Sequence, residues 1–460
     1  MKRILFLSFI TLCHFSYSQV FDVETILQSG SNDSRINLVI LSDGYQNTEL
    51  NQFITDATNF SNVLFAETPY KEYKNYFNVH AIKVPSNESG ASHPGTATDV
   101  SEPAHPVLSV DNYFESTFDA FGIHRLLVSN NSIASTVLAN NFPIYDIVLI
   151  LVNSPHYGGS GGPIAVSSLH PDANEIAIHE LGHSFVGLID EYYAGDGFAN
   201  EGINMTQETN PSNVKWTNWI NQNGTGIYQH CCGGNSASWY RPHQNCKMRF
   251  LGNSFCSVCT EGTIEKIHSL SAPIDSYLPQ NTGTIDLSTP ITFNINVIAP
   301  FPNTLFIEWT LNGAIINNDD FSVLISMSDL MTGNNQLQAT IIDTTSLLKV
   351  DNHETIHFAT ILWNINSSTL SIDEVLTENL KIKLFPNPTL DVIYFDIIKE
   401  INEDYDVMIS DVSGKQLINK SINYLDKNPQ VQLGLLPSGI YFINFKFQNG
   451  LNISKKIIKR

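Results

Sequence analysis

The sequence predicts a multidomain protein, with a mixed α/β unit followed by two all-β units. Three observations carry this. The chain has 460 residues, too many for one ordinary core when domains run to roughly 100–200. Helical and strand-like spacings interleave up to about residue 270. Beyond that point helical spacing stops, and short alternating runs separated by turn residues replace it.

Residues 1–18 read as a secretory leader. Lys2 and Arg3 supply the positive start, Ile4 to Leu12 a short apolar run, and Ser16 and Ser18 small residues before a cut at Gln19. The apolar run is about half of the roughly 20 residues a membrane span needs, so no transmembrane segment is expected. Residues 19–270 form the α/β unit. Ile36 to Leu41 reads as a strand ending at Ser42-Asp43-Gly44. Leu50, Phe53, Ala57, Phe60 and Leu64 fall at helical spacing, and Tyr76 to Val84 alternates like a strand. Ile144 to Val152 is nearly continuous in apolar residues, the mark of a buried central strand. A helix is expected from Asp172, a good N-cap, with Glu175 at the capping-box position and Gly187 as its stop.

Residues 271–366 carry alternating runs at Ile291 to Val297, Leu305 to Leu311, Leu337 to Ile342 and His357 to Trp363, the pattern of a β-sandwich with Trp309 in its core. A polar, Ser/Thr-rich linker, residues 367–380, follows. The last unit, residues 381–460, has strand-like runs at Val392 to Ile397, Tyr405 to Ser410, Val431 to Leu433 and Ile440 to Phe447.

The net charge of −21 excludes a nucleic-acid partner, because phosphate binding needs clustered Lys and Arg. Cys13 leaves with the leader, and Cys231, Cys232, Cys246, Cys256 and Cys259 remain. In an exported protein these predict two disulfides and one thiol. The rival reading is a second zinc site on Cys256-x-x-Cys259.

The chemistry lies in His179-Glu180-Leu181-Gly182-His183. On a helix, residues four apart share a face, so both imidazoles reach one ion. Zinc favours such nitrogen ligands and leaves a position for water. Glu180 is placed to act on that water as general base. Ile178, Leu181 and Phe185 lie on the opposite stripe and face the core. Asp190 and Glu191 are both candidates for a third ligand. Tyr192 and Tyr193 are candidate hydroxyl donors or packing residues. Upstream, Gly158 to Gly162 runs into Pro163 to Val166, a flexible loop entering an edge strand suited to pairing with a substrate backbone. His93, His105, His156, His170, His230 and His243 are scattered and are assigned no metal role.

The stretch His179 to Tyr192, HELGHSFVGLIDEY, resembles the signature of the IgA-peptidase family of bacterial zinc metallopeptidases. Leu41 to Tyr45, Tyr76 to Val79, Ser89 to Ala91, Cys246 to Arg249 and Phe255 to Cys259 resemble it too. The resemblance implies a metzincin-like catalytic domain, one catalytic zinc ion and peptide-bond hydrolysis. In the metzincin pattern the third ligand lies three residues past the helix-ending glycine, which favours Asp190 over Glu191. Met248 then corresponds to the methionine turn beneath the metal. The second unit resembles immunoglobulin-like folds in general pattern. Phe385 to Pro388, Leu436 to Tyr441 and the basic end resemble the type IX secretion sorting domain, implying that the type IX machinery is a partner.

The expectation is therefore a secreted or cell-surface, zinc-dependent endopeptidase acting on protein or peptide substrates, with His179, His183 and Asp190 as ligands and Glu180 as base. One alternative keeps the zinc but hydrolyses another amide. The other is a non-catalytic adhesin with a structural zinc, for which a glutamate beside the first histidine has no use.

Overall fold

The computed structural model describes residues 20–349, 357–367, 382–397, 403–448 and 450–460. The expected leader, and the linker after Ser367, lie outside the described residues. Most of the regular structure is β-sheet, in several sheets. The chain divides into two compact units. The first runs up to Thr282 and adds Thr292–Leu324 and Gln336–Trp363; the second takes Gly283–Ile291, Ile325–Asn335 and Asn364–Arg460.

The first unit is built on six strands: β1 Val23–Leu27, β2 Ile36–Asp43, β3 Phe77–Ile82, β4 Ile147–Val152, β5 Gly159–Ser160 and β6 Ala165–Ser167. Their order is β1-β3-β2-β4-β6-β5. The four inner strands are parallel, and β1 and β5 run antiparallel at the edges. Every residue of β2 and β4 is buried, as expected of parallel strands covered on both faces.

Helices α1 (Leu50–Leu64), α3 (Ala173–Leu181) and α4 (Ser257–Leu270) pack on one face through Phe53, Phe60, Ile178, Leu181 and Ile264. Helix α2 (Asn131–Asn141) covers the other with Val137 and Leu138, beside Phe114 and Phe118. Two segments that carry the family resemblance meet at the end of β2. Gly90 N donates to Gly44 O at 2.9 Å, and a side chain on Gly44, whose φ is +67°, would strike the Gly90 carbonyl.

The same unit also contains antiparallel strands outside that sheet. Leu305–Leu311 pairs with Ala314–Asn318 on one side and with Gly333–Asp343 on the other. Trp309 is fully buried and stacks on Trp363 with ring centroids 5.7 Å apart.

In the second unit, Thr284–Leu287 runs parallel to residues 364–367. The C-terminal strands form a three-stranded and a four-stranded sheet around Ile393, Val407, Ile443 and Phe445. Asn387 accepts from Ile458 N and donates to Lys456 O, tying the Phe-Pro-Asn-Pro segment to the last strand. Lys459, nearly buried, donates to Leu433 O and Leu436 O. The basic end is therefore partly structural rather than a solvated tail.

Candidate functional site

The helical segment that carries the motif stops at Gly187, as expected, but only its first part is regular α-helix. Asp172 occupies its N-cap position, but its side chain makes no capping bond. Glu175 does not close a capping box; it binds Lys247 Nζ at 2.5 Å and Gly252 N at 2.9 Å. Regular helix stops at Leu181, and Gly182–Val186 forms a wider π turn. Gly187 then turns left-handed at φ +82°, which carries the chain back beneath the helix.

This reversal assembles the site. His179 Nδ1 donates to Lys247 O at 3.1 Å and His183 Nδ1 to Leu188 O at 2.7 Å. Both rings thus carry a proton on Nδ1 and turn their Nε2 atoms inward. Asp190 Oδ1 lies 3.1 Å from each Nε2, and the two Nε2 atoms are 3.2 Å apart. These three atoms repel one another unless a proton or a metal cation joins them, and two imidazole nitrogens with one carboxylate are a donor set that fits a divalent metal.

Burial lowers the pKa of His183, but the Asp190 carboxylate outweighs it and pushes it up to about 9. Burial raises the Asp190 pKa in turn, and the two imidazoles more than reverse it, holding the carboxyl below its usual range. Protons and a metal compete here for the same atoms. Burial pushes the Glu180 carboxyl up, partly offset by His179 and His183.

The structure separates the two candidate third ligands. Asp190 faces the imidazoles, whereas Glu191 is fully buried and points away to Asn204 Nδ2 at 3.0 Å and Cys259 Sγ at 3.5 Å. Asn204, unsuspected in the sequence, holds this segment by bonding both Ile189 N and Ile189 O at 2.8 Å. Met248 is buried against the motif, since a β-carbon on Gly182 would sit 2.8 Å from its sulfur. Glu191 N donates to Met248 O at 2.8 Å.

Two cavities flank Glu180, of about 570 and about 200 Å³. Arg125, Gly159, Glu180 and Tyr192 line both. Tyr192 is partly buried, with Arg125 5.9 Å over its ring, and Tyr193 is exposed. The glycine run differs from expectation. Ala165–Ser167 is an interior strand, and the edge is β5, where Gly159 N already donates to Arg125 O at 3.3 Å. These glycines instead permit close packing on α3. A β-carbon at Gly161 would lie 2.8 Å from Glu180 Oε2 and 3.0 Å from His183 Cβ.

The cysteines also depart from expectation. Cys231 bridges to its neighbour Cys232, and Cys246, Cys256 and Cys259 are free and buried. The three thiols converge with Glu191, Cys246 Sγ lying 3.6 Å from Cys259 Sγ, so a single pairing would strand the third. Among the described residues, two further groups besides the motif bring possible metal ligands together: these cysteines with Glu191, and His93, Glu102, Asp119 and His124. The histidines read as scattered thus include a cluster, with His105 stacked on His156 beside His124.

Residues 24–227 match the family profile described as IgA Peptidase M64, and residues 383–460 match the Secretion system C-terminal sorting domain. The chain carries an M64 peptidase domain. The M64 match contains β2 to β6, all but the first residue of β1, and all of His179 to Glu191. The sorting domain marks export by type IX secretion, to the cell surface or beyond. Among the described residues no helix is long and apolar enough to cross a membrane. No curated protein matches the chain.

Solved structures similar to parts of it include dimeric latent PorU from Porphyromonas gingivalis, at 15% identity and TM-score 0.15, covering 40% of this chain and 20% of that one. The fibronectin(III)-like modules of Clostridium thermocellum CbhA match at 10% identity and TM-score 0.15, covering 40% of this chain and 91% of that one.

Proposed function

We propose that the protein is a secreted zinc-dependent endopeptidase, with His179, His183 and Asp190 as metal ligands and Glu180 as general base. The observation that carries this is the meeting of three metal-type ligand atoms within 3.2 Å, beside the half-buried Glu180 carboxylate in a two-sided cleft. On this reading the catalytic domain, residues 19–270, is metzincin-like. It follows a leader of residues 1–18 and precedes an immunoglobulin-like sandwich, residues 271–366. A linker of residues 367–380 leads to the sorting domain, residues 381–460.

A zinc ion held there supplies Lewis-acid polarisation and lowers the pKa of water. The chain's own residues do the rest. Lys247 O and Leu188 O fix the two imidazoles in orientation and tautomer. Glu180 takes a proton from the attacking water and returns it to the nitrogen of the leaving amine. Its burial favours the protonated form, which suits a carboxylate that must give the proton back. A peptide lying across Glu180 extends into both cavities, as endopeptidase action requires.

The test is hydrolysis of denatured casein by the full-length protein, before and after chelation. Activity should vanish with the metal and return with zinc alone. Undiminished hydrolysis by chelated protein of measured zero metal content would refute the reading.

A further inference from the structure

The long connection between β3 and β4 folds back on itself and places His93, Glu102, Asp119 and His124 around one point, with a ligand atom of each within 4.8 Å of the others. His93 Nε2 lies 3.3 Å from Asp119 Oδ2 and 3.6 Å from Glu102 Oε2. His124 Nδ1 lies 3.3 Å from Glu102 Oε1 and 3.4 Å from Asp119 Oδ1. None of these four contacts is a hydrogen bond. His93 Nε2, His124 Nδ1, Asp119 Oδ1 and Glu102 Oε1 are buried with no hydrogen-bond partner.

The chemistry asks for a cation. His93 Nδ1 lies 3.2 Å from Pro106 O, a pure acceptor, so Nδ1 carries a proton and Nε2 is the atom turned toward the two carboxylates. His93 is 2% exposed and Asp119 4%. A buried and a half-buried carboxylate set against two imidazole nitrogens, with no hydrogen bond joining them, are unfavourable unless a cation lies between them. The four histidine–carboxylate distances are close to those between ligands of one ion. Tetrahedral bonds of about 2.0–2.1 Å place ligand atoms about 3.3–3.4 Å apart. Asp119 is also held at φ +62°, a left-handed conformation that costs a non-glycine residue energy and persists where its surroundings require it.

We infer that His93, Glu102, Asp119 and His124 form a second, structural zinc site, separate from the His179 motif. Two nitrogens and two carboxylates suit zinc, and together with a divalent ion they make a neutral centre. Calcium, which takes six to eight oxygens, is poorly served by this set. The site staples residues 93–102 to residues 119–124. His124 leads directly into Arg125, which lines both cavities beside Glu180, and into Leu126, which bridges to β5 at Gly159. The ion therefore positions one wall of the cleft without touching the reacting atoms. This inference does not rest on the peptidase reading.

The test is metal counting on the full-length protein, with zinc as the probe. His93→Ala and Asp119→Ala should each hold one zinc equivalent fewer than wild type after dialysis. His179→Ala should lose a different equivalent, and combining it with His93→Ala should lose both. An unchanged count in folded His93→Ala would overturn the site. Should those variants fail to fold, anomalous diffraction at the zinc edge from wild-type crystals decides. A peak between His93 Nε2 and His124 Nδ1 is expected, and its absence overturns the site. Displacement of this zinc by millimolar calcium would overturn the choice of metal.

Discussion

Gly161 lies directly against Glu180: a methyl group on its α-carbon would sit 2.8 Å from the Glu180 Oε2 atom. The glycine is thus a spacer that lets the carboxylate and the His183 ring approach the loop before β6. Gly161→Ala should displace Glu180 and lower kcat by at least about 10-fold, since small misplacements of reacting groups carry large costs. Its melting temperature should change little, because the loop is exposed at this point. Wild-type turnover in Gly161→Ala would remove Gly161 from the site's geometry.

Asp190 and Glu191 are neighbours with opposite surroundings, and they should respond differently. Asp190→Ala should abolish zinc binding at the motif while leaving the fold intact. Glu191→Ala should keep the motif zinc at first measurement but destabilise the protein, because its carboxylate is enclosed by Asn204 and Cys259. Zinc counts and thermal melts on both variants separate these effects. Loss of the motif zinc in Glu191→Ala alone would reverse the assignment.

Asp343 gives the protein an acid-sensitive component of stability. It accepts from Tyr73 Oη at 2.5 Å and Thr304 Oγ1 at 2.7 Å and lies 3.3 Å from His268 Nε2. Burial raises its pKa, but His268, Tyr73 and Thr304 outweigh this and hold it below the usual carboxylate value. A carboxyl with a depressed folded pKa stabilises fully above its unfolded pKa of about 3.9, and that contribution is lost as the pH falls through the lower folded value. Asp343→Asn should cost on the order of 2 kcal/mol at pH 7. The gap from wild type should narrow below about pH 4, as followed by denaturant melts across pH. A gap independent of pH would contradict this.

Cysteine titration tests the thiol arrangement. In protein expressed from Gln19 onward, denatured with chelator but without reductant, three thiols should react: Cys246, Cys256 and Cys259. In the native state all three should be protected, because each is buried. A count of one would restore the two-bridge arrangement expected from composition.

Much of the architecture was legible in the sequence because it follows local periodicity. The strands at Ile291–Val297 and Leu305–Leu311 fall where alternation puts them, and α1 where Phe53, Ala57, Phe60 and Leu64 recur. The i, i+4 histidines were legible for the same reason. The rest depends on contacts between segments distant in the chain. Asn204 reaches back over a loop to Ile189 and Glu191, and nothing in its neighbouring residues marks it. His93, Glu102, Asp119 and His124 have no common spacing, and only a doubled-back loop unites them. The Gly158 to Gly162 run was read as flexibility, whereas Gly159 and Gly161 answer a steric demand from α3. Helix α4 is hard to read because Cys256-x-x-Cys259, at its start, fits a pairing motif as well as it fits helical spacing.

The most direct test of the central claim is casein hydrolysis by Glu180→Gln, with the zinc content of the same sample measured. The substitution keeps the side chain's shape and removes its basicity. The account predicts zinc content equal to wild type and a rate lower by at least about 10²-fold. Equal rates at equal zinc content would contradict it.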